Sequence, residues 1–205
     1  MSQAKHIFPF LVPTLVLALI LAVALLVIPK AELHLALCQP HTAFLDKVVP
    51  LFTNLVDWLP YLTVVLLLFY RAGWATFLAS NLLLSTLIVQ PIKHIIHAQR
   101  SLTWFAENMP DIALPLVADV KMNHWLSFPS GHTAAAFSLA TSLSITYPKW
   151  YVIAPSAIWA CGVGFARMNQ GVHYPSDVLT GAAIGVGCAF VNVYVNRWLN
   201  KVLLK

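Results

Sequence analysis

Charge is scarce in this sequence. Asp, Glu, Lys and Arg make up 9% of its 205 residues, against about 25% in an ordinary soluble domain. That shortage excludes a soluble fold. Acidic residues are scarcer still, seven against twelve Lys and Arg. The resulting charge of +5 does not call for nucleic acid, because basic residues of a membrane protein collect at the cytoplasmic ends of its helices. Cysteine is nearly absent. Cys161 and Cys188 lie in apolar segments, where they read as small hydrophobes, and Cys38 is alone in its loop. With no C-x-x-C pair, neither a disulfide framework nor a metal knuckle is supported. No internal repeat or low-complexity tract is visible.

What remains is apolar: 60% of the residues are hydrophobic. Ile7–Ile28 carries no charge and is long enough to cross a bilayer, which takes about 20 residues. It exceeds a signal-peptide core and shows no convincing cleavage site, so it reads as a retained span. Further spans are predicted over Trp58–Tyr70, Trp74–Val89, Gly131–Tyr147, Trp150–Phe165 and Val178–Trp198. Residues 30–57 read as a mixed connection, partly helical at the interface. Residues 101–128 form the longest polar region, with Glu107, Asp111, Asp119, Lys121 and His124. The expected fold is all-α: a polytopic membrane protein of six transmembrane helices with a helical-bundle core, residues 1–205 forming one domain. Six spans put both termini on one face. That face holds Lys5, Arg71, Lys149, Arg197, Lys201 and Lys205 and no acid, so the positive-inside rule makes it cytoplasmic.

Three polar clusters fall on the opposite face. Lys93 and Arg100 stand seven residues apart. On a helix, positions i, i+4 and i+7 share a side, so Lys93, His97 and Arg100 are expected to point together. Phe128-Pro129-Ser130-Gly131-His132-Thr133 reads as a helix start. Ser130 is a good N-cap, Gly131 lets a ligand approach the backbone, and free N–H groups at a helix N-terminus attract anions. The third cluster is Arg167, His173 and Asp177. Taken alone, Lys93 and Arg100 would be snorkelling anchors, and His132 an incidental histidine. Together the clusters suit a phosphoryl group. Arginine matches phosphate oxygens bidentately and lysine acts as a point charge. Two histidines can serve as nucleophile and proton donor, and a carboxylate four residues after His173 can fix its tautomer.

The pattern Lys93-x6-Arg100-Ser101, Pro129-Ser130-Gly131-His132 and Arg167-x5-His173-x3-Asp177 resembles the three-part signature of the type 2 phosphatidic acid phosphatase superfamily. That superfamily includes membrane lipid phosphatases and soluble vanadium haloperoxidases. The resemblance covers about residues 58–198. Ser101 stands where the family has proline, and Ala166 where it often has serine; the first change is expected to shift the loop path.

The resemblance implies a metal-independent lipid phosphate phosphatase that uses no cofactor. His173 would be the nucleophile, Asp177 its activator and His132 the proton donor. Lys93, Arg100, Ser130, Gly131 and Arg167 would hold the phosphate. The implied partners are a lipid phosphate substrate and the bilayer, with no nucleic acid. The expected place is the cytoplasmic (inner) membrane, with the site facing the periplasm. A lipid-to-lipid phosphotransferase of the same fold and a non-enzymatic anion-binding membrane protein are the alternatives. The pair His94 and His97 reads as too sparse for a metal site. His6, His34 and His41 read as surface or interfacial residues.

Overall fold

A computed structural model describes residues 7–39, 41–112, 114 and 123–203, with side chains up to 196. Asp119, Lys121, Lys5, His6 and Lys205, and the side chains of Arg197 and Lys201, lie outside the described residues. Among the described residues the secondary structure is helical, with no strand. We number the helices α1 (Phe8–Val27), α2 (Lys30–Cys38), α3 (Leu45–Asn54), α4 (Leu59–Tyr70), α5 (Ala72–Ile96), α6 (Ser101–Asn108), α7 (Gly131–Thr146), α8 (Trp150–Asn169) and α9 (Pro175–Leu203). A single 3-10 turn, Leu55–Asp57, joins α3 to α4.

By length and apolarity, four stretches can cross a membrane: Phe8–Val27, Ala72–Asn108, Trp150–Asn169 and Pro175–Asn196. Leu45–Asp57 and Leu59–Tyr70, bent by 49° at their junction, make a fifth if taken as one span. The protein is therefore an integral membrane helical bundle, with one qualifying span fewer than the six expected. The difference lies in α7, which has 16 residues and is about 24 Å long at 1.5 Å per residue. That falls short of a hydrocarbon core of about 30 Å. The connection at 30–57 is more ordered than expected, since it contains α2 and α3.

α7 sits at the centre, packed by α5, α8 and α9. Because protein surrounds it, it can carry buried Ser138, Thr141, Ser142 and Ser144. Asn81 of α5 donates to the Ser138 carbonyl at 3.1 Å and to Ser142 Oγ at 2.9 Å, a polar link of the kind that ties helices together in lipid. α9 approaches α7 closely through Gly181 and Gly185. A Cβ at Gly181 would collide with the Ser130 carbonyl, and one at Gly185 with that of Ala134. The two glycines form the small-residue face that lets membrane helices touch backbone to backbone. This contact brings the start of α7 against the start of α9.

Candidate active site

Lys93 is buried in the last turn of α5, and its Nζ donates to the Leu126 carbonyl at 2.6 Å. The helix then stops at Ile96, and His97 adopts the left-handed conformation at φ 47° and ψ 41°. The expected common helical face of Lys93, His97 and Arg100 therefore does not exist. Arg100 arrives by a turn of the chain, held by its N–H to the His124 carbonyl at 2.9 Å and its Nε to the Trp125 carbonyl at 3.1 Å. The His97 ring stacks on Trp125 with centroids 5.1 Å apart. Ser101 opens α6, and its hydroxyl donates to the Gly171 carbonyl. The serine thus adds a tie to the third cluster.

Ser130 caps α7 as expected. Its Oγ accepts from the Thr133 N–H at 3.4 Å and from the Thr133 hydroxyl at 2.9 Å. Its own N–H donates to the Asp177 carbonyl at 2.9 Å, which locks the second cluster to the third. Arg167 lies in the last turn of α8, buried, with Nη1 donating to Gln170 Oε1 at 3.2 Å. Its carbonyl accepts from the N–H groups of Val172 at 3.3 Å and His173 at 3.1 Å. These bonds close the turn through Gly171, whose φ is 67°.

His173 is buried, with Nδ1 3.4 Å from Asp177 Oδ2. That is a close approach without a formed hydrogen bond, since Nδ1 meets no acceptor in good geometry. Asp177 is itself well held: Oδ2 accepts from Ser127 Oγ at 2.5 Å and from the Tyr174 N–H at 3.0 Å. With Nδ1 turned to the carboxylate, Nε2 is the ring nitrogen left for the cavity. Burial pushes the His173 imidazole below its ordinary value, while the Asp177 carboxylate pulls it back. Burial wins because charging a ring in a low-dielectric site is costly, so the ring is neutral near pH 7.

A cavity of about 680 Å³ gathers Lys93, Arg100, Gly131, His132, Arg167 and His173 in its lining. The structure thus brings together six of the eight residues singled out from sequence. Ser130 and Asp177 stand behind the lining, one serving the α7 cap and the other backing His173. Among the lining residues that were not anticipated, Thr53, Asp57 and Gln170 matter most for the geometry. Asp57 Oδ1 lies 3.3 Å from His132 Nε2. Gln170 Nε2 donates to Thr53 Oγ1 at 3.2 Å, so α3 is fastened to the third cluster. The only sequence signal for Asp57 was an acid at the start of a predicted span. His34, expected at the surface, is buried behind the site between Phe105 and Tyr174, with ring centroids at 5.7 and 4.9 Å. α2 supplies it, and its Cys38 thiol donates to the Met168 carbonyl at 3.1 Å.

The PAP2 superfamily model matches residues 74–201, and the chain belongs to this superfamily. Lipid A 4'-phosphatase of Bacteroides thetaiotaomicron is 27% identical over 151 residues, 71% of this chain and 67% of that protein. Lipid A 1-phosphatase of Porphyromonas gingivalis is 43% identical over 63 residues, 29% of this chain and 14% of that protein. Undecaprenyl-diphosphatase of Sulfolobus acidocaldarius is 38% identical over 69 residues, 34% of this chain and 33% of that protein. The chain thus spans a third or less of the length of these last two relatives. The crystal structure of Aquifex aeolicus LpxE superposes with a TM-score of 0.70 at 29% identity, covering 80% of this chain and 94% of that one. A transmembrane PAP2-type phosphatidylglycerolphosphate phosphatase from Bacillus subtilis shares the fold, with a TM-score of 0.62 at 24% identity over 91% of this chain and 95% of that one.

Proposed function

We propose that this protein is a lipid phosphatase that removes phosphate from a lipid monophosphate or diphosphate at the membrane surface. The observation that carries the reading is one cavity lined by Lys93, Arg100, Gly131, His132, Arg167 and His173, with Asp177 against His173. The substrate classes named by its relatives are lipid A phosphates and undecaprenyl diphosphate, and phosphatidylglycerol phosphate is the third candidate.

His173 Nε2 attacks phosphorus, and the bond to the leaving oxygen breaks as the P–N bond forms. His132 gives that oxygen a proton. Lys93, Arg100, Arg167 and the Gly131 N–H hold the equatorial oxygens, where charge is spread in the transition state. Water then attacks the phosphohistidine, His132 takes its proton, and phosphate departs. Ser130 contributes by fixing the start of α7, and Asp177 by holding the His173 tautomer. The cations and the helix N-terminus neutralise the phosphate without a metal, and the reaction needs no cofactor.

The site lies at the ends of α5 and α8 and the starts of α7 and α9, whereas Arg71 and Lys149 occupy the loops at the other end of the bundle. Lys and Arg occur at both ends, but the loops at Arg71 and Lys149 carry no acid, and that supports a site on the outer face of the cytoplasmic membrane. Residues 1–205 act as one membrane domain in this reading.

The test is phosphate release from a panel of purified lipid phosphates in detergent, with chelator present in one arm and the His173→Ala variant as control. Release by the wild type, unchanged by chelator and abolished in the variant, is the expected result. Release that requires an added divalent cation overturns the metal-independent mechanism. A phosphorylated second lipid in place of free phosphate identifies the transferase alternative.

A further inference from the structure

The cavity that holds the phosphate is strongly cationic, and that creates a difficulty for its proton donor. Lys93 from α5, Arg100 from the turn after α5, and Arg167 from α8 line the same space as His132. A cation beside an imidazole disfavours its protonated form. Burial, Arg167 and the other cations hold the His132 imidazole below its ordinary value even with Asp57 beside it, so a donor there depends on every negative charge near the ring when it takes up the proton it will give. His173 also lines the space and is neutral, and its carboxylate partner Asp177 is committed to it and to Ser127. The carboxylate against His132 is Asp57, with Oδ1 3.3 Å from Nε2.

Asp57 is placed there by the fold. It ends the 3-10 turn at the bend between α3 and α4. The same segment is anchored one helical turn earlier, where Thr53 accepts from Gln170, which in turn accepts from Arg167. The α3–α4 bend is thus fastened to both the phosphate-binding and the proton-donating parts of the site. The side chain of Asp57 is 70% exposed and that of His132 34% exposed. A carboxylate so open to solvent is free to swing aside.

We propose that Asp57 is the positioning residue of the proton donor: it favours the proton on His132 Nε2 as the substrate fills the cavity and gives way to the leaving oxygen of the substrate. The proposal rests on His132 being the donor. During the first step the leaving oxygen takes the Nε2 proton, the P–O bond breaks, and the ring is left neutral. When water later attacks the phosphohistidine, the ring regains a proton from it and Asp57 returns. The dependence on Asp57 is therefore greatest for substrates whose leaving oxygen cannot depart unprotonated. Its negative charge also opposes anions in the cavity, so its loss tightens binding of inorganic phosphate.

The experiment compares kcat/KM for octyl phosphate, a poor leaving group, with that for p-nitrophenyl phosphate, a good one, in the wild type, D57N, D57E and H132A. The ratio octyl to p-nitrophenyl is expected to fall at least tenfold in D57N, to be largely restored in D57E, and to fall further in H132A. Product inhibition by phosphate is expected to tighten several-fold in D57N, and the alkaline limb of its octyl phosphate profile to move to lower pH. Equal losses on both esters, or no loss on either, overturn the role of Asp57. An unchanged ratio in H132A overturns the donor assignment itself, which separates failure of the premise from failure of the proposal.

Discussion

The two histidines of the cavity each face a carboxylate, and the two pairs are unlike. His173 and Asp177 are both buried, with side chains 2% and 3% exposed, and stand four residues apart across the start of α9. Asp57 is open and His132 half-buried; they sit on different helical segments and meet across the cavity at 3.3 Å. The buried pair is rigid because Ser127 and the Tyr174 N–H also hold the carboxylate. The open pair can part. A nucleophile must be aimed once and kept there, whereas a proton donor must give up its partner to the substrate in every turnover. On the proposed assignment of His173 and His132, burial and exposure divide those duties.

The largest expected effect falls on the buried pair. His173→Ala lowers kcat by about 10⁴-fold or more, and Asp177→Asn by about 10³-fold, both measured as phosphate release from a lipid phosphate. If instead His132→Ala is the more damaging change, the assignment of the two histidines is reversed. The open pair comes next. His132→Ala is expected to cost about 10²–10³-fold on an alkyl phosphate in the same assay, and Asp57→Asn less than that.

A third change tests the packing that brings the pairs within reach of one phosphate. Gly181→Ala drives a methyl into the Ser130 carbonyl, with Thr133 Cβ 3.2 Å away. Overpacking of this kind costs about 1–3 kcal/mol, or about 2–4 °C of thermal midpoint per kcal/mol for a chain of this size. Thermal unfolding in detergent reads it. An unchanged midpoint would mean that α7 and α9 can separate without loss.

The smallest effect concerns pH. Burial pushes His34 down to about 4, against the opposing charge of Asp177, and burial also lowers His173. A histidine lowered in the folded state binds its proton more readily when unfolded, so stability is lost as pH falls below about 6.5. The thermal midpoint is expected to decline between pH 7 and 4.5. The decline should be shallower in His34→Leu, whatever that variant's midpoint at pH 7. An equal slope would place the proton uptake elsewhere.

Much of this was legible in the chain itself. Uncharged runs such as Phe8–Val27 announce a membrane helix because lipid tolerates no unpaired polar group. Lys93, Arg100, Ser130-Gly131-His132, Arg167, His173 and Asp177 announce the family because residue type and order carry its signature, and six of them line one cavity. Less was legible where a helix faces protein instead of lipid. α7 is rich in serine and threonine, and α5, α8 and α9 surround it; its bounds were read correctly, but it was counted as a span although its 16 residues are too few to cross alone. The path from Lys93 to Arg100 was misread as one helical face, because periodicity does not reveal that His97 turns left-handed and ends α5. His34 looked superficial because polarity alone does not reveal a slot between Phe105 and Tyr174.

The sequence by itself determined the membrane class, the family and the His173–Asp177 pair, since the turn that carries His173 leads within two residues into α9 and its Asp177. Only the tertiary structure decided the second pair. Asp57 and His132 are far apart in the chain, and no periodicity links them. They meet because the bend between α3 and α4 is tied to Gln170 and leans over the start of α7.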